Sequence, residues 1–304
     1  MTSARLSPAT IGGFIPAVVT PFDDTGAILK NEFASMVDWL ISCGATAIAV
    51  AGDNGESWNL DIAERSLLTR VAVDTAAGRV PVVTGVTAPS AEHTVRYARA
   101  VVDSGASGVL VMPQTYVLKA TREELVRRFA KLAGAVDTPI ILYNSPRRVS
   151  IDMSPADVEA LLDVAPIVAI KESNRDFFHH THLIERLRDR IAILVGPCHF
   201  IFPGVALGAR GFIASGPELL GPLAGRLTEL ATQAPGDELR QLHFKLTVIY
   251  QALMRLGTWP SSLKAALNLI GRPAGVPREP VLSLAGPEID ELRQILDSLG
   301  LLSS

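Results

Sequence analysis

The sequence predicts an α/β protein, a (β/α)8 TIM barrel with a C-terminal helical extension, and three observations carry that prediction. Eight short apolar, β-branched segments recur along the first 216 residues, helix-patterned stretches separate them, and the strand pattern stops at Pro217. The segments are 14–20, 47–51, 80–86, 108–112, 139–143, 167–171, 191–196 and 211–215. Apolar runs of this length bounded by turn residues suit strands of a buried parallel sheet. The helices between them carry start signals: Asp61 with Glu64 and Thr121 with Glu124 read as capping boxes, and Ser154-Pro155 as an N-cap followed by proline at the first helical position. No G-x-G-x-x-G follows the first segment, and eight units in so short a span fit a closed barrel better than an open doubly wound sheet. Residues 219–233, 237–256, 261–270 and 287–299 then read as helices separated by Gly and Pro. The chain therefore divides into a barrel over 1–216 and a helical region over 217–304 packed on it.

Composition narrows the function. A hydrophobic fraction of 48% over 304 residues is ample for a large core. Twenty-eight basic residues against 31 acidic ones, with no run of Lys or Arg, exclude a phosphate-tracking or membrane-surface protein, so nucleic acid and membrane are not expected partners. Cys43 and Cys198 form no C-x-x-C, which argues against a disulfide framework or a thiolate metal site and fits a reducing compartment. Residues 1–13 lack a basic start followed by an apolar leader, and no stretch has the length of a membrane span. A cytoplasmic location is expected.

In this barrel class the chemistry sits at the C-terminal ends of the strands. The residues there are Thr20-Pro21, Gly52 to Ser57, Pro113 to Tyr116, Tyr143 to Pro146, Lys171-Glu172 and Gly196. Lys171 closes the apolar run 167–170, and desolvation at such a place lowers an ammonium pKa by up to ~3 to 5 units, leaving an amine able to attack a carbonyl. Tyr143 closes the preceding segment, so two titratable side chains end consecutive buried strands at one edge.

These residues resemble the dihydrodipicolinate synthase / N-acetylneuraminate lyase family of Schiff-base-forming pyruvate-dependent aldolases and dehydratases. The likeness runs over nearly the whole chain: Ala17-Val18-Val19-Thr20-Pro21-Phe22, the G-x-x-G-E turn from Gly52 to Glu56, Tyr143-Asn144-x-Pro146, Ile170-Lys171-Glu172, Gly211-Phe212-Ile213-Ala214-Ser215, and Lys264-Ala265-Ala266-Leu267-Asn268. It implies that Lys171 forms an imine with a C2 carbonyl, that Tyr143 moves protons, and that Arg148 matches the arginine receiving a carboxylate of the synthases' second substrate. Catalytic candidates are thus Lys171, Tyr143 and Asp53. Substrate-binding candidates are Gly52, Asn54, Thr115, Tyr116, Arg148, Gly196 and Ile213. The imine is the electron sink, so neither metal nor organic cofactor is expected.

Three departures from the family pattern bear on the substrate. Asp53 and Asn54 stand where the family has two small hydroxyl residues, and Thr115 stands where the synthases have the second tyrosine of a relay, unless the loop shifts to present Tyr116. Asn54 can donate an amide to a carboxylate, whereas Asp53 offers a base or an acceptor for substrate hydroxyls; an Asp-Asn-Gly turn with no such role is the structural alternative. His179, His180 and His182 read as solvated residues of one helix rather than metal ligands. Trp58 either lines the pocket mouth or packs beneath the next helix.

The leading reading is a lyase that cleaves, condenses or dehydrates a 2-keto-3-deoxy sugar acid. The alternatives are 4-hydroxy-tetrahydrodipicolinate (dihydrodipicolinate) synthase and a non-catalytic 2-oxo-acid-binding barrel. The expected ligand is a 2-oxo acid such as pyruvate, and the resemblance implies a homotetramer built as a dimer of dimers.

Overall fold

Eight parallel strands form one sheet: β1 (Gly13–Phe14), β2 (Ile48–Val50), β3 (Val82–Gly85), β4 (Gly108–Val111), β5 (Ile140–Asn144), β6 (Ile167–Glu172), β7 (Ala192–Val195) and β8 (Gly211–Phe212). Their hydrogen-bonded order is β1-β8-β7-β6-β5-β4-β3-β2. A parallel bridge between Ala17 and Ala49, with Val18 N–H donating to the Ala49 carbonyl at 2.9 Å, joins the two ends and closes the barrel. The computed structural model describes residues 6–233 and 236–302; residues 1–5, with the start of the N-terminal reading, and 303–304 lie outside the described residues.

The helices are α1 (Lys30–Ser42), α2 (Ile62–Ala76), α3 (Ala91–Asp103), α4 (Arg122–Ala133), α5 (Pro146–Val149), α6 (Pro155–Leu162), α7 (Phe177–Leu187), α8 (Ile201–Ala206), α9 (Leu223–Thr232), α10 (Asp237–Arg255), α11 (Ser261–Leu269) and α12 (Gly286–Ser298). Reciprocal capping boxes start α2 at Asp61 and α4 at Thr121, and Ser154 caps α6 with Pro155 behind it. The helix α9 packs on α8 and β1, while α10, α11 and α12 pack on one another. Among the described residues no helix is long and apolar enough to cross a membrane.

Most strands end a residue or two inside the sequence pattern, and the first and last are shortened most. The segment 14–20 is strand only at Phe14, because Pro16 has no N–H to give to the ladder and Ala17 regains only an isolated bridge. The segment 211–215 leaves the sheet after Phe212.

Parity along the strands sets everything that follows, since successive side chains point to opposite faces. Ile140 and Leu142, Ile170, Ile193 and Val195 face outward into the layer shared with the helices. Ala47, Ala49, Ile141, Tyr143, Ala169, Ala192 and Leu194 face inward to a separate core inside the barrel. Lys171 lies two residues beyond Ala169 and shares its inward parity.

The C-terminal helices are fastened to the loop after β2 by a buried ion pair. Lys264 Nζ lies 2.5 Å from Glu56 Oε1, with both side chains at or below 1% exposure. The same ammonium donates to the Val276 carbonyl at 2.7 Å, and Arg278 N–H donates to Glu56 Oε2 at 3.0 Å. Burial brings the Lys264 pKa down to about 8, with Glu56 opposing the fall. Removing one partner leaves the other charge buried, which typically costs about 3–5 kcal/mol. Glu56→Gln is therefore expected to lose about that much in urea denaturation, and Glu56→Gln with Lys264→Met to recover most of it. A loss under about 1 kcal/mol for the single variant would show that this contact is not an anchor.

Candidate active site

Tyr143 and Lys171 are register partners on adjacent strands, both inward, both at the C-terminal end of the barrel. The Lys171 Nζ sits 4.1 Å from the centre of the Tyr143 ring. Both side chains are buried, at 5% exposure each. Desolvation penalises the ammonium and brings the Lys171 pKa down to about 8; the Asp53 and Glu218 carboxylates pull it up, and the Arg148 guanidinium pushes it further down. The ammonium is still the larger fraction near physiological pH, but the neutral amine is far more abundant than in an ordinary lysine. The Tyr143 phenol moves the other way, raised first by burial and then by Asp53, with Ser145, Arg148 and Ser173 opposing. It stays protonated and is set to donate rather than to act as a phenolate.

Continuing the same parity by two residues places a ring of hydroxyls above this layer. Tyr143 leads to Ser145, Lys171 to Ser173 and Ile213 to Ser215, and all six line one cavity of about 60 Å³. Gly196 lines it too, and only glycine fits there: a Cβ would stand 2.0 Å from Ser173 Oγ and 2.6 Å from the Glu172 carbonyl. The roof comes from the helical region, through Tyr250 and Met254 on one face of α10 and Trp259 beyond it.

Asp53 and Arg148 form the polar wall of this cavity. Asp53 Oδ2 accepts from Arg148 Nε at 3.0 Å and lies 2.8 Å from its terminal nitrogen. Asp53 Oδ1 has no partner among the described residues and remains an open acceptor. Asn54 also lines the cavity. Its amide Nδ2 donates to the Ala17 carbonyl at 3.0 Å and its Oδ1 accepts from Ser215 Oγ at 3.0 Å, so it ties the first and eighth strand ends together. Thr20 Oγ1 donates to the Gly55 carbonyl at 2.8 Å, and Gly52 contributes its carbonyl to Ser57 N–H, so the whole turn is held against the barrel mouth.

Of the residues expected in the site, Lys171, Tyr143, Asp53, Asn54, Arg148, Gly196 and Ile213 come together around the cavity. Gly52 does not line the cavity; its carbonyl accepts from Ser57 N–H within the turn. Thr115 and Tyr116 do not reach the cavity. Thr115 lies instead in a neighbouring cavity with Trp58, Arg65 and Tyr97, which meets the first at Asp53 and Arg148. The backbone of Tyr116 is left-handed, with φ at 71°, and the residue is 96% exposed. The histidines are not solvated as a group, which corrects the sequence reading. His180 is fully buried and its Nε2 contacts the Asn174 carbonyl at 2.8 Å; His179 Nε2 lies 3.2 Å from Glu172 Oε2, whose carboxylate outweighs burial and raises the His179 pKa. Glu172 itself faces outward, held by Asn144 Nδ2 at 3.0 Å and Asn174 N–H at 2.7 Å. Among the described residues no three His, Cys, Asp or Glu side chains are grouped to hold a metal ion.

The sequence reading gave no site role to Ser145, Ser173 and Ser215, which the period of two would have found, nor to Arg147, Arg175, Tyr250, Met254 and Trp259. It also missed Glu218, a buried carboxyl after β8 whose pKa burial raises to about 7, with Lys171 among the groups opposing. Its Oε2 accepts from Gly216 N–H at 2.8 Å.

Residues 10–299 match the model of the dihydrodipicolinate synthetase family. The chain is 33% identical over 290 residues to the 4-hydroxy-tetrahydrodipicolinate synthase of Pelobacter propionicus, covering 95% of this chain and 99% of that one. It is similar to the dihydrodipicolinate synthase of Acinetobacter baumannii complexed with pyruvate, at a TM-score of 0.91, with 27% identity and coverage of 96% and 100%. It is similar also to YagE, a prophage protein of E. coli K12 in the dihydrodipicolinic acid synthase family, likewise in complex with pyruvate, at a TM-score of 0.90, with 27% identity and coverage of 96% and 99%.

The charges around Lys171 make opposite demands on its titration. Acetylation of Lys171, followed by peptide mass, is expected to accelerate through an inflection near pH 8, because only the neutral amine reacts. Asp53→Asn removes a carboxylate that holds the proton on and should move the inflection down; Arg148→Gln removes a cation that drives it off and should move it up. Shifts of the same sign in both variants would rule out this account of the amine.

Proposed function

The chain belongs to the dihydrodipicolinate synthetase family and is a class I aldolase-type lyase; on that premise we propose that it acts on a 2-keto-3-deoxy sugar acid through an imine on Lys171. Membership displaces the reading of a non-catalytic barrel. The observation that carries the substrate proposal is the Asp53–Arg148 pair. In the resemblance, the arginine at this place receives a carboxylate of the synthases' second substrate; here the chain's own carboxylate already occupies that guanidinium at 2.8 and 3.0 Å. The free Oδ1 beside it suits a substrate hydroxyl, which a semialdehyde does not bring to that place.

The proposed steps use only this chain's groups. The neutral Lys171 amine adds to the C2 carbonyl, Tyr143 supplies the proton that turns the carbinolamine hydroxyl into leaving water, and a cationic imine results. In aldol cleavage, Asp53 accepts the proton of the C4 hydroxyl while the C3–C4 electron pair moves into the imine, giving an aldehyde and an enamine. Protonation of the enamine at C3 and hydrolysis release pyruvate and the free lysine. Dehydration would use the same imine to acidify C3 and expel a hydroxyl as water. No metal or organic cofactor enters these steps, and pyruvate, bound by the two structural relatives in their complexes, is the proposed three-carbon product. A cytoplasmic homotetramer completes the proposal, supported for assembly by the adjacent exposed side chains of Tyr116, Val117 and Leu118.

A second reading, 4-hydroxy-tetrahydrodipicolinate synthase, is favoured by the name of the relative at 33% identity and by the presence of Arg148. A panel of 2-keto-3-deoxy sugar acids, set against pyruvate with aspartate semialdehyde, separates the two. Pyruvate release or dehydration from the sugar acids is expected, with Asp53→Thr lowering their kcat/KM roughly ten- to a hundredfold. Efficient native condensation with no sugar-acid turnover would end the sugar-acid reading. Tyr143→Phe should lower kcat by about 10²- to 10⁴-fold with little change in melting temperature. Unchanged turnover would assign the protons to another group, with Asp53 the first to test.

A further inference from the structure

Arg147 and Arg175 line the same cavity as Lys171, and neither has a carboxylate partner among the described residues. Arg175 comes from the loop between β6 and α7, and its terminal nitrogen donates to Tyr250 Oη at 3.3 Å. Its guanidinium carbon lies 5.7 Å from the Tyr250 ring centre, so the α10 phenol helps hold it over the cavity mouth. Arg147 stands beside Arg148 on α5 and is exposed.

Charge and space together make this pair informative. Within the cavity, Arg148 is neutralised by Asp53, and the cationic imine on Lys171 would be balanced by the C1 carboxylate of its own substrate. Two guanidiniums are then left over. The cavity is small, about 60 Å³, and its lining continues into two neighbouring cavities. On one side, toward Trp58 and Thr115, the Asp53–Arg148 pair lines both this cavity and its neighbour. On the other side, Arg175, Tyr250 and Met254 are shared with an open groove of about 700 Å³. In that groove Arg255 is already engaged by Glu291, and burial lowers the His199 pKa, leaving Arg175 as the cation without an acidic partner.

We propose that Arg147 and Arg175 form a subsite for a second anionic group, a carboxylate or a phosphate, at the far end of the 2-oxo acid whose C2 is held on Lys171. Guanidinium groups suit this task because their planar donors match carboxylate and phosphate oxygens. The subsite deepens the sugar-acid reading and rests on it for the identity of the carbon chain, but the anion contact can be measured without turnover.

The test compares 2-oxoadipate with 2-oxohexanoate, which have the same six-carbon chain and differ in the terminal carboxylate. Calorimetry on the full-length protein is expected to give a Kd at least tenfold lower for 2-oxoadipate, with the ratio falling as salt is added. Arg175→Gln should bring the ratio toward one, Arg147→Gln should reduce it, and Tyr250→Phe should reduce it less. Equal affinities in the native protein, or a preference that survives both arginine substitutions, would overturn the subsite. Borohydride reduction run in parallel keeps the two readings apart. No adduct on Lys171 would sink the imine chemistry, whereas an adduct without discrimination would sink the subsite alone. Turnover of a 2-keto-3-deoxy hexarate against a 2-keto-3-deoxy-6-phosphoaldonate then identifies the anion, and equal kcat/KM for the neutral-ended acid would count against both.

Discussion

The desolvated amine of Lys171 is the constraint around which the rest of the molecule is arranged. An ammonium inside a barrel is penalised, and that penalty leaves the amine neutral enough to attack a carbonyl near pH 8. It exists only because β6 is buried on both faces and because the inward set of alternate residues reaches Lys171 at the strand's upper end. Below it the inward set is Ala169, with Ala47, Ala49 and Ala192 from other strands, so the lysine stem rises from a packed interior rather than a pore. The same burial keeps the Tyr143 proton in place, giving a donor and a nucleophile from one physical cause acting on groups of opposite charge type.

In the proposed function, Asp53 and Arg148 turn that general device toward particular substrates. Each shifts Lys171 in the direction opposite to the other, and together they wall the cavity with a pair of no net charge. The pairing takes one carboxylate oxygen and leaves the other open. A site with two small hydroxyls at this turn would present donors and acceptors to a proton relay; this one presents a fixed acceptor beside a guanidinium already in use. In the proposed function, selectivity is set on the loop after β2 while the imine chemistry remains on β5 and β6.

Strand-end residues were legible in the sequence because the fold itself makes them so: Lys171, Tyr143, Asp53, Asn54 and Gly196 end or follow apolar runs, and a parallel barrel gathers such positions at one rim, whereas Arg148 came from the family resemblance. The ring of Ser145, Ser173 and Ser215 was equally readable by counting two from each inward residue. Other features had no local signature. Nothing near Asp53 announces a partner 95 residues away, and Tyr250, Met254 and Trp259 belong to helices whose placement over the barrel is a matter of tertiary packing. His179 and His180 of α7 were misjudged for a related reason, since their burial depends on Glu172, Asn174 and Phe200, which lie outside their own helix, while His182 is exposed as expected. Strand lengths at β1 and β8 were overread because apolar character persists after the ladder has ended.

The turn that carries Asp53 is fixed from several directions, and this bears on how specificity is encoded. Asn54 bonds to Ala17 and Ser215, Gly55 to Thr20, and Glu56 to Lys264 and to Arg278 of the C-terminal region. Glu56 holds a left-handed backbone, with φ at 54°, a conformation that a residue with a side chain keeps only when its surroundings enforce it. A carboxylate on so constrained a turn needs little reorganisation when substrate arrives, so its position costs little in the reacting complex. The anchor that fixes it, Lys264, lies on α11, next to the helix that supplies Tyr250 and Met254 to the roof. The helical region thus serves the site twice: it covers the cavity, and it holds rigid the loop from which the cavity's acid projects.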